Sequence, residues 1–234
     1  MSLLVATELA KSFGGVAALR GVSFSVARGE LLALIGPNGA GKTTCFNVVN
    51  GQLRPDRGQV RFDGRRVDGL PPRRLCRLGI GRTFQVASTF ASMSVRENVQ
   101  VVERDPARAE SVLRAAGVGA LAGRQCAELA YGDLKRVELA IALASRPRLL
   151  LMDEPTAGMA SAERRALMDI VRDAARAQDI AVLFTEHDMD VVFGFADRVL
   201  VLAEGELIAQ GAPAAVRSDA RVRRVYLGEE AADA

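Results

Sequence analysis

Apolar and polar positions change period several times along the chain, and each change marks an element. Leu3-Leu4-Val5-Ala6, Val22-Ser23-Phe24-Ser25-Val26 and Val60-Arg61-Phe62-Asp63-Gly64 predict strands of an N-terminal antiparallel β region, with Val22, Phe24 and Val26 on a buried face. Leu31-Leu32-Ala33-Leu34-Ile35, Leu149-Leu150-Leu151-Met152 and Ala181-Val182-Leu183-Phe184 have no polar face and read as buried, parallel-type strands. Arg198-Val199-Leu200-Val201-Leu202 predicts another strand, followed by a hairpin at Glu204-Gly205-Glu206. Between these runs the pattern turns helical. One helix follows Lys42 and ends near Asn50-Gly51, and a second starts at Pro71-Pro72 and leads to Ile80. From Ser94 to Cys126 the pattern is helical: Ser94 and Glu97 form a capping box, and Pro106 begins a helix through Ala115-Ala116. Val137 to Ala144 is helical, and Ser161-Ala162-Glu163 opens a further helix with the same cap chemistry. The tail Glu229-Glu230-Ala231-Ala232-Asp233-Ala234 is expected to fray.

Chemistry enters at the end of the first buried strand. Gly36-Pro37-Asn38-Gly39-Ala40-Gly41-Lys42-Thr43-Thr44 has the strand–loop–helix context of a phosphate-binding P-loop. Its glycines let backbone N–H groups turn inward, and the following helix adds the positive end of its dipole. A nucleoside triphosphate is therefore expected there. Lys42 is placed to reach the β- and γ-phosphates, and the Thr43 hydroxyl to ligate Mg²⁺. The strand Leu149–Met152 ends in Asp153-Glu154-Pro155. Asp153 suits a residue that holds Mg²⁺ through water, and Glu154 suits the base that polarises an attacking water. His187, the chain's single histidine, follows the strand Ala181–Thr185. Ligand-facing residues collect at such strand ends, which puts its imidazole within reach of a γ-phosphate.

The intervening segments decide the kind of P-loop protein. Leu129-Ala130-Tyr131-Gly132-Asp133-Leu134-Lys135-Arg136 precedes a helix that leads through Arg146-Pro147 into the second acidic strand. With this segment the chain resembles the ATP-binding-cassette family, and the resemblance covers nearly its whole length. It implies that Ala130, Tyr131, Gly132 and Asp133 are a signature segment completing the ATP site of an opposite subunit. It also implies that Gln85, in Gly81-Arg82-Thr83-Phe84-Gln85, contacts metal and water. His187 matches the switch histidine, and Phe13, in Lys11-Ser12-Phe13-Gly14-Gly15, matches the aromatic that stacks on adenine. The fold it implies is α/β: a P-loop core with a mixed, largely parallel sheet, an N-terminal antiparallel β region and a small helical subdomain. Residues 1–85 and 146–234 would form the core with its β region, and residues 86–145 the helical subdomain. Two segments depart from the family, at three positions. Ala130 and Asp133 stand where many cassettes carry serine and glutamine, so the side-chain contact to the partner's γ-phosphate is missing while the backbone N–H groups around Gly132 remain. Ala160 stands where the D-loop usually carries an acid. An active site with slower turnover is expected.

Composition narrows this picture. A chain of 234 residues suits one α/β unit with a small insertion. No stretch approaches the ~18 consecutive apolar residues of a membrane span, and the N-terminus lacks a signal-like segment, so a soluble, cytosolic protein is expected. Net charge is +3, but basic residues are scattered among acids without forming blocks and aromatics are 5%, which argues against the basic, aromatic-bearing stripe of a nucleic-acid binder. Cys45, Cys76 and Cys126 show no metal or redox spacing and read as reduced, mostly buried thiols.

Gly79-Ile80-Gly81-Arg82-Thr83-Phe84-Gln85, Leu129-Ala130-Tyr131-Gly132, Glu186-His187-Asp188-Met189 and Val225-Tyr226-Leu227-Gly228 resemble the ATPases of branched-chain amino acid importers. That resemblance implies a second ATPase subunit, transmembrane permease subunits, a periplasmic binding protein and a place on the cytoplasmic face of the membrane. The lipopolysaccharide-export ATPase shares the Val225–Gly228 ending, and urea importers share other phrases. An assembly ATPase such as those of iron–sulfur cluster assembly is the alternative from a different class. Against it stands Val86-Ala87-Ser88-Thr89-Phe90, a segment suited to a groove that receives a membrane subunit's cytoplasmic helix.

Overall fold

A computed structural model describes residues 2–83 and 88–227. In chain order, β1 (Ser2–Phe13) and β2 (Val16–Ala27) form a long hairpin, β3 (Leu31–Ile35) follows, and α1 (Lys42–Val49) leads to β4 (Arg57–Phe62) and β5 (Arg65–Arg66). Next come α2 (Pro72–Leu78), β6 (Ile80–Arg82), α3 (Val95–Gln100), α4 (Pro106–Ala115) and α5 (Tyr131–Ala144). The remainder is β7 (Leu149–Asp153), α6 (Ser161–Gln178), β8 (Ala181–Thr185), α7 (Met189–Phe195), β9 (Arg198–Ala203), β10 (Glu206–Gly211), α8 (Pro213–Ser218) and α9 (Ala220–Leu227).

The strands make two sheets: an antiparallel one in the order β2-β1-β4-β5, and a six-stranded one in the order β10-β9-β3-β8-β7-β6. In the second sheet β6, β7, β8, β3 and β9 run parallel, and β10 closes one edge antiparallel. The apolar runs owe their lack of a polar face to burial on both sides. Leu32 and Leu34 of β3, with Leu149 and Leu151 of β7, pack into a core shared with the antiparallel sheet and Phe46. Leu31, Ala33, Ile35, Leu150 and Met152 face a second core under α6 and α7. A third core, from Val95 to Ala144, belongs to α3, α4 and α5.

Register positions the chemistry. Thr185 at the end of β8 pairs with Leu34 of β3 on one side and Asp153 of β7 on the other. The loops that leave β3, β7 and β8 therefore emerge side by side at the carboxyl edge of the sheet, where open α/β sheets bind ligands.

Helix ends follow the sequence expectation at Ser94 and depart from it in two places; at the first, α5 begins at Tyr131, so Tyr131–Arg136, expected to precede that helix, form its first turns. The Ser94 hydroxyl accepts from the Glu97 N–H (3.2 Å), and the Glu97 carboxylate accepts from the Ser94 N–H (2.7 Å). The expected equivalent at Ser161 is not formed: Ser161 is the first residue of α6 and Ala160 is its N-cap. Alanine has no acceptor, so only the Glu163 half remains, its carboxylate accepting from the Ala160 N–H at 3.3 Å. Cys45 and Cys126 are buried and Cys76 is exposed. Burial pushes the Cys45 thiol up to about 12, which makes it inert. Among the described residues, no helix is long and apolar enough to cross a membrane.

Candidate functional site

The P-loop is held by its own chain. Gly36 (φ 154°) and Gly41 (φ 98°) adopt backbone conformations that other residues resist, and a Cβ on either would strike a carbonyl, Leu202 O at 2.2 Å or Ala18 O at 2.4 Å. The Ala40 carbonyl accepts from Gly205 N–H in the β9–β10 turn (3.1 Å). Ala40 is buried, Pro37 half-buried, and Asn38 and Gly39 are exposed. Lys42 begins α1, and its ammonium donates to the carbonyls of Gly36 (2.6 Å) and Pro37 (3.0 Å). Burial pushes the Lys42 ammonium below its ordinary value, while the charges of Glu154 and Asp153 pull it back up. Thr43 is exposed and Thr44 half-buried in the first turn of the helix. The Tyr226 hydroxyl of α9 meets the Gly36 backbone, and burial raises it to about 12.

Facing this cradle, Asp153 ends β7 and Glu154 follows it. The Thr185 hydroxyl donates to Asp153 Oδ1 (2.7 Å) and accepts from the Glu154 N–H (3.1 Å), so one side chain on β8 orders both acids. Glu154 takes the left-handed backbone region at φ 48°, a conformation that costs a non-glycine residue about 1–3 kcal/mol and is held where surroundings enforce it. Its Oε1 lies 2.7 Å from His187 Nε2. A carboxylate in its ionised form only accepts, so with Glu154 ionised Nε2 would be the donor in this contact. The Arg82 guanidinium lies 3.9 Å from Asp153 Oδ2 and 5.5 Å from the centre of the Phe46 ring.

The structure thus brings Lys42, Asp153, Glu154 and His187 to one edge of the sheet. Phe13, at the end of β1, is 47% exposed, with Lys11 Nζ 5.6 Å from its ring centre. Ala130 is the extended N-cap of α5, and Tyr131, Gly132 and Asp133 form its first turn. Tyr131 is exposed, Gly132 is buried against the Glu163 carboxylate, and Asp133 lies 3.9 Å from Arg136. Gln85 lies outside the described residues. Three residues to which the sequence reading gave no role also belong here: Thr185, Thr156 and Glu186. Thr185 and Glu186 precede His187 directly, which is the signal that was present; their partners 30 or more positions away were not legible.

A phosphate cradle beside ordered carboxylates and an imidazole, on a parallel sheet, defines a P-loop nucleoside triphosphatase. Comparison with known proteins narrows the class. The family model described as ABC transporter matches residues 19–157, and the model described as branched-chain amino acid ATP-binding cassette transporter matches residues 206–232. The chain is 36% identical to the high-affinity branched-chain amino acid transport ATP-binding protein LivG of Salmonella typhimurium, over 97% of this chain and 98% of that protein. It is 38% identical to the lipopolysaccharide export system ATP-binding protein LptB of Acidithiobacillus ferridurans, over 97% and 98%. The crystal structure of the ADP conformation of MJ1267, an ATP-binding cassette of an ABC transporter, superposes with a TM-score of 0.90 at 33% identity, covering 98% of this chain and 100% of that one. A dimeric cassette, MJ0796 bound to ADP and Pi, gives 0.77 at 25%, covering 90% and 98%. The chain belongs to the ABC transporter ATP-binding family, in its branched-chain amino acid transporter type. It is an ATP-binding cassette whose ATP hydrolysis is coupled to transport.

Proposed function

We propose that this chain is the ATPase subunit of an importer of branched-chain or related amino acids, working in a pair of cassettes on the cytoplasmic face of the membrane beneath permease subunits fed by a periplasmic binding protein. The observation that carries the reaction is the convergence of Lys42, Asp153, Glu154 and His187 on one sheet edge. The substrate class rests on the family model over residues 206–232 and on the likeness to LivG.

In this reading the backbone N–H groups of the Gly36–Thr44 loop, Pro37 having none, and the Lys42 ammonium bind the phosphates, and Phe13 stacks on the base. Glu154 orients the attacking water, and His187 holds Glu154 and reaches the γ-phosphate. The donors near the cradle, a Thr43 hydroxyl and the Asp153 carboxylate, are hard oxygen ligands, which fits Mg²⁺. Thr43 would hold it directly, Asp153 through water, and Gln85 from the segment outside the described residues. Bound there, Mg²⁺ would neutralise charge on the β- and γ-phosphates. The third core supports a helical subdomain over residues 86–145, distinct from the nucleotide-binding core of residues 1–85 and 146–234. Ala130 to Asp133 would then close the γ-phosphate of a partner cassette through backbone N–H groups, and the dimeric likeness to MJ0796 supports such a pair.

Lipopolysaccharide export is the second reading, favoured by the 38% identity to LptB. Light scattering of Glu154→Gln with and without Mg-ATP tests the pair: a nucleotide-dependent dimer is expected, alone or with a sister cassette from the neighbouring genes. Leucine uptake into vesicles holding the chain with its neighbouring permeases tests the substrate. Uptake independent of this chain's Glu154 overturns the importer reading.

A further inference from the structure

His187 presents a half-exposed ring whose contact with Glu154 depends on where its backbone is held. Glu186 is anchored on the segment between β7 and α6, and Asp188 on Arg164 of α6, which is itself bonded to that segment. Glu186 is 4% exposed. Its Oε1 accepts from the Thr156 N–H (2.9 Å) and the Thr156 hydroxyl (2.6 Å), and its Oε2 accepts from the His187 N–H (3.1 Å). On the other flank, Arg164 Nε donates to the Met159 carbonyl (2.7 Å), and its guanidinium pairs with Asp188. Asp188 in turn caps α7 by accepting from Asp190 N–H (2.9 Å) and Val191 N–H (3.3 Å). The turn 156–159 and the segment 186–188 are thereby clasped twice, once on each side of the histidine.

The Glu186 clasp is chemically demanding. Two of its three donors are backbone N–H groups that cannot reverse, and they approach different oxygens, so acceptors are needed at both ends of the group. A carboxylate meets that demand, whereas an amide of the same shape turns a donor toward one of the two N–H groups. Such a mismatch in a buried site displaces one partner.

We infer that Glu186 is a positioning residue of the ATPase reaction: by clasping Thr156 to the His187 backbone it keeps the imidazole on Glu154. This rests on the roles proposed above for Glu154 and His187. It also ties the placement of His187 to residues 156–159, so that displacement of that turn is felt at the imidazole.

Because His187 is the chain's single histidine, ring-labelled histidine gives one set of imidazole NMR signals, readable without nucleotide. In Glu186→Gln these signals are expected to move, kcat to fall about 10- to 100-fold, and KM for ATP to change less than about threefold, as misplacement of a reacting group by an ångström would produce. Thr156→Val, which replaces the hydroxyl by a methyl and keeps the Thr156 N–H bond, is expected to move the signals in the same direction with a smaller loss of kcat. The double variant should be no worse than Glu186→Gln alone, because both changes break one clasp. Wild-type kcat in Glu186→Gln, a loss shared equally by KM, or an unmoved ring signal overturns the inference. Should Glu186→Gln fail to fold, Thr156→Val decides alone: moved signals with lowered kcat support the clasp, and wild-type values for both overturn it. A wild-type protein without ATPase activity sinks the proposed roles, and the ring signals then still decide whether the clasp exists.

Discussion

At the start of α1 and at the start of α5 a helix offers its N–H groups with no side-chain cap from its own chain. The surroundings of the two ends differ. The loop before α1 is fixed by Gly36 and Gly41, by the Gly205 contact and by Lys42 folded onto two of its carbonyls, and it stands beside the ordered pair Asp153 and Glu154. The turn before α5 carries Ala130 in extended conformation, an exposed Tyr131 and the Glu163 carboxylate close to Gly132. The first end is organised to bind an anion by itself. The second offers backbone N–H groups beside a carboxylate, and in the pairing proposed above it would meet an anion brought by another molecule.

Substitutions can break or sharpen that contrast. The largest effect is expected from Glu154→Gln, which should lower turnover by about 10²–10⁴-fold while ATP stays bound. Steady-state hydrolysis beside a nucleotide titration checks it, and unchanged turnover would remove Glu154 from the chemistry. Lys42→Ala removes a charge-assisted contact worth about 1.5–3 kcal/mol, so nucleotide should bind about 10- to 150-fold more weakly by calorimetry. Phe13→Ala should cost about 1–3 kcal/mol of nucleotide affinity through lost base stacking, with little discrimination between ATP and GTP. An unchanged dissociation constant would return that ring to a surface role.

At the other helix the effect of Gly132 should appear in association. A methyl at Gly132 would meet the Glu163 carboxylate at 3.0 Å and, in the proposed pair, cover backbone that would face the partner. Gly132→Ala is expected to leave nucleotide affinity of the monomer unchanged, to destabilise the fold by up to about 1–3 kcal/mol through the Glu163 contact, and to weaken ATP-dependent dimerisation if the proposed pair forms. Sedimentation of the Glu154→Gln background reads it directly. The smallest change is Ala130→Ser, which restores an N-cap acceptor. It should stabilise the fold by about 0.5–2 kcal/mol, seen as a rise in thermal midpoint, and a rise in turnover would add that a hydroxyl there reaches the partner's phosphate.

Much of this arrangement was legible in the sequence because its causes are local. A loop with glycines at 36, 39 and 41 between an apolar run and a helix has few alternatives to a phosphate cradle, and Leu149–Met152 ending in two acids announces a strand that delivers charge to the sheet edge. The Ser94–Glu97 box formed as its spacing predicts. The cap of α6 did not. Whether Ser161 or Ala160 takes the non-helical position is set by the backbone dihedrals of the turn, and a serine, an alanine and a glutamate within four residues do not fix those dihedrals.

The sequence by itself determined the class of strand and helix, the phosphate loop, the two acids and the single histidine, since hydrophobic period and short-range spacing express them within a few residues. Tertiary structure decided which of these side chains meet. Thr185 reaches Asp153 because β8 pairs in register with β7, Glu186 reaches Thr156 across 30 positions of chain, and Glu154 is held in a left-handed conformation by bonds to a neighbouring strand. Contacts of that kind depend on strand order and register, which follow from how whole faces of the sheet bury against α1, α6 and α7, and no local pattern encodes them.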